Sequence, residues 1–208
     1  MKMYSFLTIM IGIGFVQTPI AALACEFVPN AQCEGAKLVG ARLQGKNLEG
    51  ANLEGANLSF AALAGSNLAG ANLKGANLKH ARLRGATLTG ANLEGAVMDY
   101  ADLRDTLMEG VNLRNARMNR VDLKLSDMEK ADMEGARLNH ADMSGADLES
   151  AVLRSASLVS AHIALANLKR AELTNADLND AYLHGSLLKG AIWTDGRRCK
   201  PGSIGACK

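Results

Sequence analysis

A large apolar residue recurs at every fifth position over four fifths of this chain, a spacing that no single helix or strand can bury. From Ala31 to Asp195 the chain divides into 33 blocks of five without an insertion or deletion. The third residue of the block is Leu in 24 blocks and Met in six, the exceptions being Cys33, Ile163 and Trp193. The first residue is Ala in 26 blocks; Lys46, Ser66, Thr106, Val111, Val121, Ser126 and Ser186 fill the rest. Five matches neither the 3.6-residue period of a helix nor the two-residue period of a strand. On an α-helix these residues would wander around the whole surface. If the backbone turns a corner once per block, the first and third residues share an interior and the others face outward.

The last residue of the block shows how many blocks make one coil. In the first 13 blocks it is Gly in all but two, Phe60 and His80, twenty residues apart. Tyr100, Arg120 and His140 continue the series. One bulky column at a spacing of twenty implies four blocks per coil. Coils stacked like cross-β strands rise about 4.8 Å. The repeat therefore makes about eight coils and a rod about 40 Å long.

Blocks such as Ala51-Asn52-Leu53-Glu54-Gly55 and Ala56-Asn57-Leu58-Ser59-Phe60 resemble the pentapeptide repeat family over residues 31–195. The resemblance implies an all-β fold, a right-handed quadrilateral β-helix with the Leu as central inward residue. The column spacing supports four blocks per coil but does not fix the hand.

One block cannot be stable alone, because ordering each residue costs about 1–2 kcal/mol of backbone entropy while burying one Leu returns about 1.5–3 kcal/mol. Stability must come from stacked neighbours. Met98, Met108, Met118, Met128, Met133 and Met143 all sit at central positions and read as pliable core filler rather than a copper site. Beyond about residue 96 the corner Gly becomes rare. Since Gly tolerates positive φ, a change of turn type is expected there, with simple divergence as the alternative; the unbroken phase excludes a domain boundary.

Residues 1–24 read as a signal peptide: Lys2, an apolar stretch from Phe6 to Val16, Pro19, then Ala22-Leu23-Ala24 before the cut. Cleavage there starts the mature chain at Cys25, which opens a lipid anchor at Cys25 as an alternative, although Leu23 is one place too close for a lipobox. The apolar stretch is too short for a stable span, so no transmembrane segment is expected after processing. The expected organisation is leader 1–24, N-terminal cap 25–30, β-helix 31–195 and C-terminal cap 196–208. Cysteines at opposite ends of a 40 Å rod cannot meet, because a disulfide needs Cα atoms within about 7 Å. That leaves Cys25–Cys33 and Cys199–Cys207, or four free thiols. Trp193, the last central residue, is expected to plug the C-terminal end beneath the tail.

No catalytic, cofactor or metal site emerges. The Gly residues follow the repeat and form no phosphate loop. His80 and His140 stand three coils apart, roughly 14 Å, and His162 and His184 complete no ligand set. The formal net charge of +2 gives no bulk reason to bind nucleic acid. Two surfaces remain as candidates for a protein partner. One is the column Phe60, His80, Tyr100, Arg120 and His140, whose π faces and guanidinium suit an aromatic or sugar ligand or, alternatively, simply stabilise one corner of the rod. The other is an acidic patch of Glu109, Asp127, Glu129, Asp147 and Glu149, followed by Lys169, Arg170 and Lys189. A third column, Asp102, Asp122 and Asp142, has Arg84, Arg104 and Lys124 beside it to offset the repulsion.

The expected function is a non-catalytic structural or interaction solenoid of the periplasm or cell exterior. The resemblance implies an alternative, since some members protect DNA gyrase by imitating duplex DNA with an acidic rod. Slight positive charge and an export signal oppose it. Carboxylates on a flat wall offer no glycosidase groove.

Overall fold

A computed structural model describes residues 25–208 of the protein; the expected leader, residues 1–24, lies outside the described residues. From Gln32 to Glu172 the second residue of each block makes one parallel β-bridge to the residue twenty positions on, as in Asn52↔Asn72, Asn72↔Asn92 and Asp102↔Asp122. The chain thus returns over itself every four blocks. Each bridge carries paired backbone bonds: Leu53 N donates to Asn72 O at 2.7 Å, and Asn72 N donates to Ala51 O at 2.9 Å.

Between bridges the chain turns. Ala56 N donates to Leu53 O at 3.0 Å, closing a four-residue turn whose third residue, Gly55, has φ +63°. Positive φ at that place is the requirement of a type II turn. The turn residue is paired along the rod as well, Gly55 N donating to Lys74 O at 2.9 Å. Even the corners therefore leave few backbone groups unmet.

The expected change of turn type beyond residue 96 does not occur. Asp105, Asn115, Leu125, Lys130, Ser150 and Asn175 keep φ between 56° and 61°, as Phe60, His80 and Tyr100 do. The corner is dictated by stacking on its neighbours, so an L residue placed there adopts the left-handed conformation at a cost of roughly 1–2 kcal/mol. The scarcity of Gly is sequence divergence on an unchanged backbone.

The interior is filled as the phase requires. Central Leu and Met from Leu43 to Leu173 are fully buried with the Ala residues beside them, and all six Met lie in this core. Where Ser or Thr replaces the first Ala, its hydroxyl bonds a turn carbonyl: Ser66 to Leu63 O at 2.7 Å, Thr106 to Leu103 O at 2.6 Å and Ser126 to Leu123 O at 2.7 Å. A buried hydroxyl is thereby paired.

Both ends are tied by disulfides, Cys25–Cys33 with Cα atoms 5.2 Å apart and Cys199–Cys207 at 4.9 Å. Beyond the last coil the chain reverses and pairs antiparallel, Leu187↔Ile204 and Ile192↔Arg198. Leu188 N then donates to Ser203 O and Gly190 N to Cys199 O, both at 3.0 Å. The tail covers this side of the rod end, where Leu188 and Ala191 are buried, while Leu178 and Leu183 stay half-buried. Trp193 is itself only half-buried against the core, so it lines the rod end without sealing it.

Candidate functional site

The bulky column stacks. Phe60 and His80 have ring centroids 4.9 Å apart and planes 14° from parallel; His80 and Tyr100 are 5.0 Å apart at 16°. These spacings are the coil rise itself. Arg120 continues the stack, its guanidinium carbon 5.8 Å from the Tyr100 centroid and its Nη1 donating to Tyr100 Oη at 3.1 Å. His140 occupies the next corner with φ +58°, and no ring contact joins it to the stack. Phe60 is 60% exposed and Tyr100 46%, so the rings present their edges to solvent.

Beside the stack, Asp99, Tyr100, Asn119, Arg120, Asn139 and His140 line a shallow cavity of about 440 Å³. Asp99 is only 7% exposed. Its carboxylate accepts from Asn119 N at 3.1 Å and Asn119 Nδ2 at 3.2 Å, and pairs with Arg117 Nε at 2.6 Å. Asn119 Oδ1 is buried and has no partner. Asp99, Asn119 and Asn139 escaped the sequence reading, because their fourth-position column mixes residue types and shows no repeat.

The acidic patch is assembled as its spacing requires. The bridges Leu107↔Asp127, Asp127↔Asp147 and Asp147↔Asn167 set Glu109, Asp127, Glu129, Asp147 and Glu149 on one face. A corner residue that the spacing did not single out moderates it: Lys130 Nζ reaches Glu129 at 2.9 Å and Glu109 at 3.1 Å. These two contacts, Glu129 first, push the Lys130 pKa up. Asn167 Nδ2 donates to Asp147 at 3.0 Å and to Glu149 at 3.2 Å.

The Asp102, Asp122, Asp142 column is interleaved with cations. Arg104 contacts Asp102 at 2.7 Å and Asp122 at 3.5 Å; Lys124 contacts Asp142 at 2.8 Å and Asp122 at 3.5 Å. The Arg104 hydrogen bond holds the Asp102 carboxyl below the usual range. For Asp142, burial pulls upward, but the hydrogen bonds from Lys124 and Ser144 outweigh it and the net shift is downward. Arg84 pairs with the corner Asp105 at 3.0 Å instead.

A further face is stitched from end to end. Asn72, Asn92 and Asn112 each donate Nδ2 to the Asn Oδ1 one coil before, at 3.2, 3.3 and 3.0 Å. Alternating charges run alongside: Lys74–Glu94 at 3.2 Å, Arg114–Glu134 at 2.7 Å and Arg154–Glu134 at 3.1 Å. Both Arg contacts, Arg154 first, lower the Glu134 pKa. This face satisfies itself.

Among the described residues no group of three or more His, Cys, Asp or Glu could hold a metal ion, and no helix is long and apolar enough to cross a membrane.

The family model for pentapeptide repeats matches this chain in 8 copies, over residues 31–70, 66–105, 88–124, 96–135, 131–168 and 151–190. No curated protein matches it. Among solved structures the chain is similar to QnrB1, a plasmid-mediated fluoroquinolone resistance protein, at 18% identity and a TM-score of 0.59, covering 74% of this chain and 82% of that one. It is also similar to HetL, a pentapeptide repeat protein of the cyanobacterium Nostoc, at 30% identity, covering 78% and 92% with a TM-score of 0.24. A pentapeptide repeat protein of the Arabidopsis thaliana thylakoid lumen is 28% identical, covering 59% and 71% with a TM-score of 0.36. The QnrB1 likeness is one of fold, and with the repeat match it makes the solenoid a right-handed β-helix.

Proposed function

The chain belongs to the pentapeptide repeat family, and from that premise we propose a non-catalytic, protein-interaction rod of the bacterial cell envelope, exported to the periplasm or beyond. Its cross-section is four-sided, with about eight coils over residues 31–195 and caps at 25–30 and 196–208. Bridges at a constant spacing of twenty and disulfides at both ends support this. Paired cysteines suit an oxidising compartment. Engagement of Cys25 with Cys33 leaves no thiol for a lipid and favours release by a non-lipoprotein signal peptidase.

One observation carries the interaction role. Phe60, His80 and Tyr100 stack in register on the rod surface, with Phe60 60% and Tyr100 46% exposed. A stacked aromatic column open to solvent offers a rigid, amphipathic contact surface to a partner. With Arg120, His140 and the adjoining Asp99, the column offers aromatic edges and cations beside a carboxylate. Gyrase mimicry is less well supported, because acidic character is confined to one patch and Lys130 sits within it.

A photoreactive phenylalanine analogue at position 100, used in intact cells that make the full chain, tests the role. A discrete protein adduct supports it. No adduct at position 100 or, in a second variant, at position 129 overturns it.

A further inference from the structure

At the C-terminal end the acidic face changes sign. Lys169 and Lys189 stand in the column of Glu109, Glu129 and Glu149, their register set by the bridge Asn167↔Leu187. Like charges one coil apart, about 5 Å, repel. Several other charged columns alternate in sign or are interleaved, as at Lys74–Glu94, Arg114–Glu134 and Lys124–Asp142. Among the described residues neither Lys169 nor Lys189 forms an ion pair, and Arg170 reaches only Glu149, at 3.5 Å.

The tail brings a further cation to the same place. Arg198 bridges antiparallel to Ile192, its Nη1 donates to Gly190 O at 3.4 Å, and the next residue, Cys199, is held by Cys207. Lys169, Arg170, Lys189 and Arg198, with Gly190 and Glu149, surround an open cavity of about 420 Å³. Three separate chain segments thus converge four cations on one space that contains a single carboxylate.

We propose that this cavity binds a multivalent oxyanion, a phosphate or pyrophosphate group. A monovalent carboxylate would leave most of the excess charge standing. A dianion offsets most of it and a trianion all of it, taking forked hydrogen bonds from the two guanidiniums and point-charge contacts from the two ammoniums. The group can be carried by a soluble phosphate ester or by a phospholipid head.

The disulfide-intact protein is titrated with sodium pyrophosphate at low salt while backbone amide NMR shifts are followed, with acetate as the monovalent control. Saturable shifts confined to the segments around residues 169, 189 and 198 are expected, weakening as salt rises. Lys189→Glu is expected to weaken binding at least about tenfold, as befits reversal of a charge-assisted contact. Arg198→Gln weakens it without disturbing the disulfide, and Lys37→Glu at the far end leaves it unchanged. Pelleting with phosphatidylglycerol vesicles, competed by pyrophosphate and lost in Lys189→Glu, would identify a lipid head as the carrier. Pyrophosphate binding without pelleting would identify a soluble one. No saturable shift, shifts spread over every basic residue, or full binding by Lys189→Glu would overturn the proposal.

Discussion

Leu125 lies across Gly145, twenty residues on: a Cβ on Gly145 would stand 2.8 Å from Leu125 Cδ2. Gly65, in the same corner column, faces open space. Both have positive φ, 68° and 64°. Gly65→Ala is therefore expected to cost about 1–2 kcal/mol for the left-handed corner alone. Gly145→Ala adds about 0.5–1.5 kcal/mol for pushing Leu125 from its rotamer. Urea unfolding midpoints check this, and the added share should vanish in the Leu125→Ala background.

The aromatic column is expected to contribute little to stability. Tyr100→Gly relieves a corner worth about 1–2 kcal/mol and loses stacking worth about 0.5–1.5 kcal/mol with the Arg120 hydrogen bond. The net change should lie within about 1 kcal/mol by chemical denaturation, while capture of a partner falls. A loss several times larger would make the column a structural corner.

Core substitutions should follow volume, not sulfur chemistry. Met118→Leu is expected to cost less than about 1.5 kcal/mol, and Leu113→Ala about 2–5 kcal/mol. Both side chains are fully buried. Thermal unfolding of the two variants gives the comparison.

Acid should weaken the rod through its ion-pair ladders. Asp102, Asp142 and Glu134 all have pKa values lowered in the folded state. Groups of this sign stabilise fully above their unfolded pKa, near 4 for carboxylates, and lose that stability as pH falls through the lower folded value. Denaturant midpoints should stay level from pH 7 to about 5 as far as these groups are concerned, then drop below pH 4. Asp102→Asn should flatten part of the drop.

Much of this was legible in the residues because the repeat never slips. Spacing alone aligned Phe60 with His80 and Asp102 with Asp122, and the phase placed every Met of the repeat inside. The corner conformation was misjudged, since a Gly-poor sequence says nothing of a backbone held by its neighbours' hydrogen bonds. The roles of Lys130, Asp99 and Asn119 rest on local side-chain contacts that leave no periodic signature in the sequence. The basic cavity depends on where the tail turns back, which only the pairing of Ile192 with Arg198 reveals.

The most direct test of an exported, disulfide-capped rod is the intact mass of the protein made with residues 1–24 in a bacterial host, with and without reductant. A chain beginning at Cys25 that gains about four hydrogens on reduction is the predicted result. A full-length chain whose mass does not change on reduction would contradict it and place the rod in a reducing compartment.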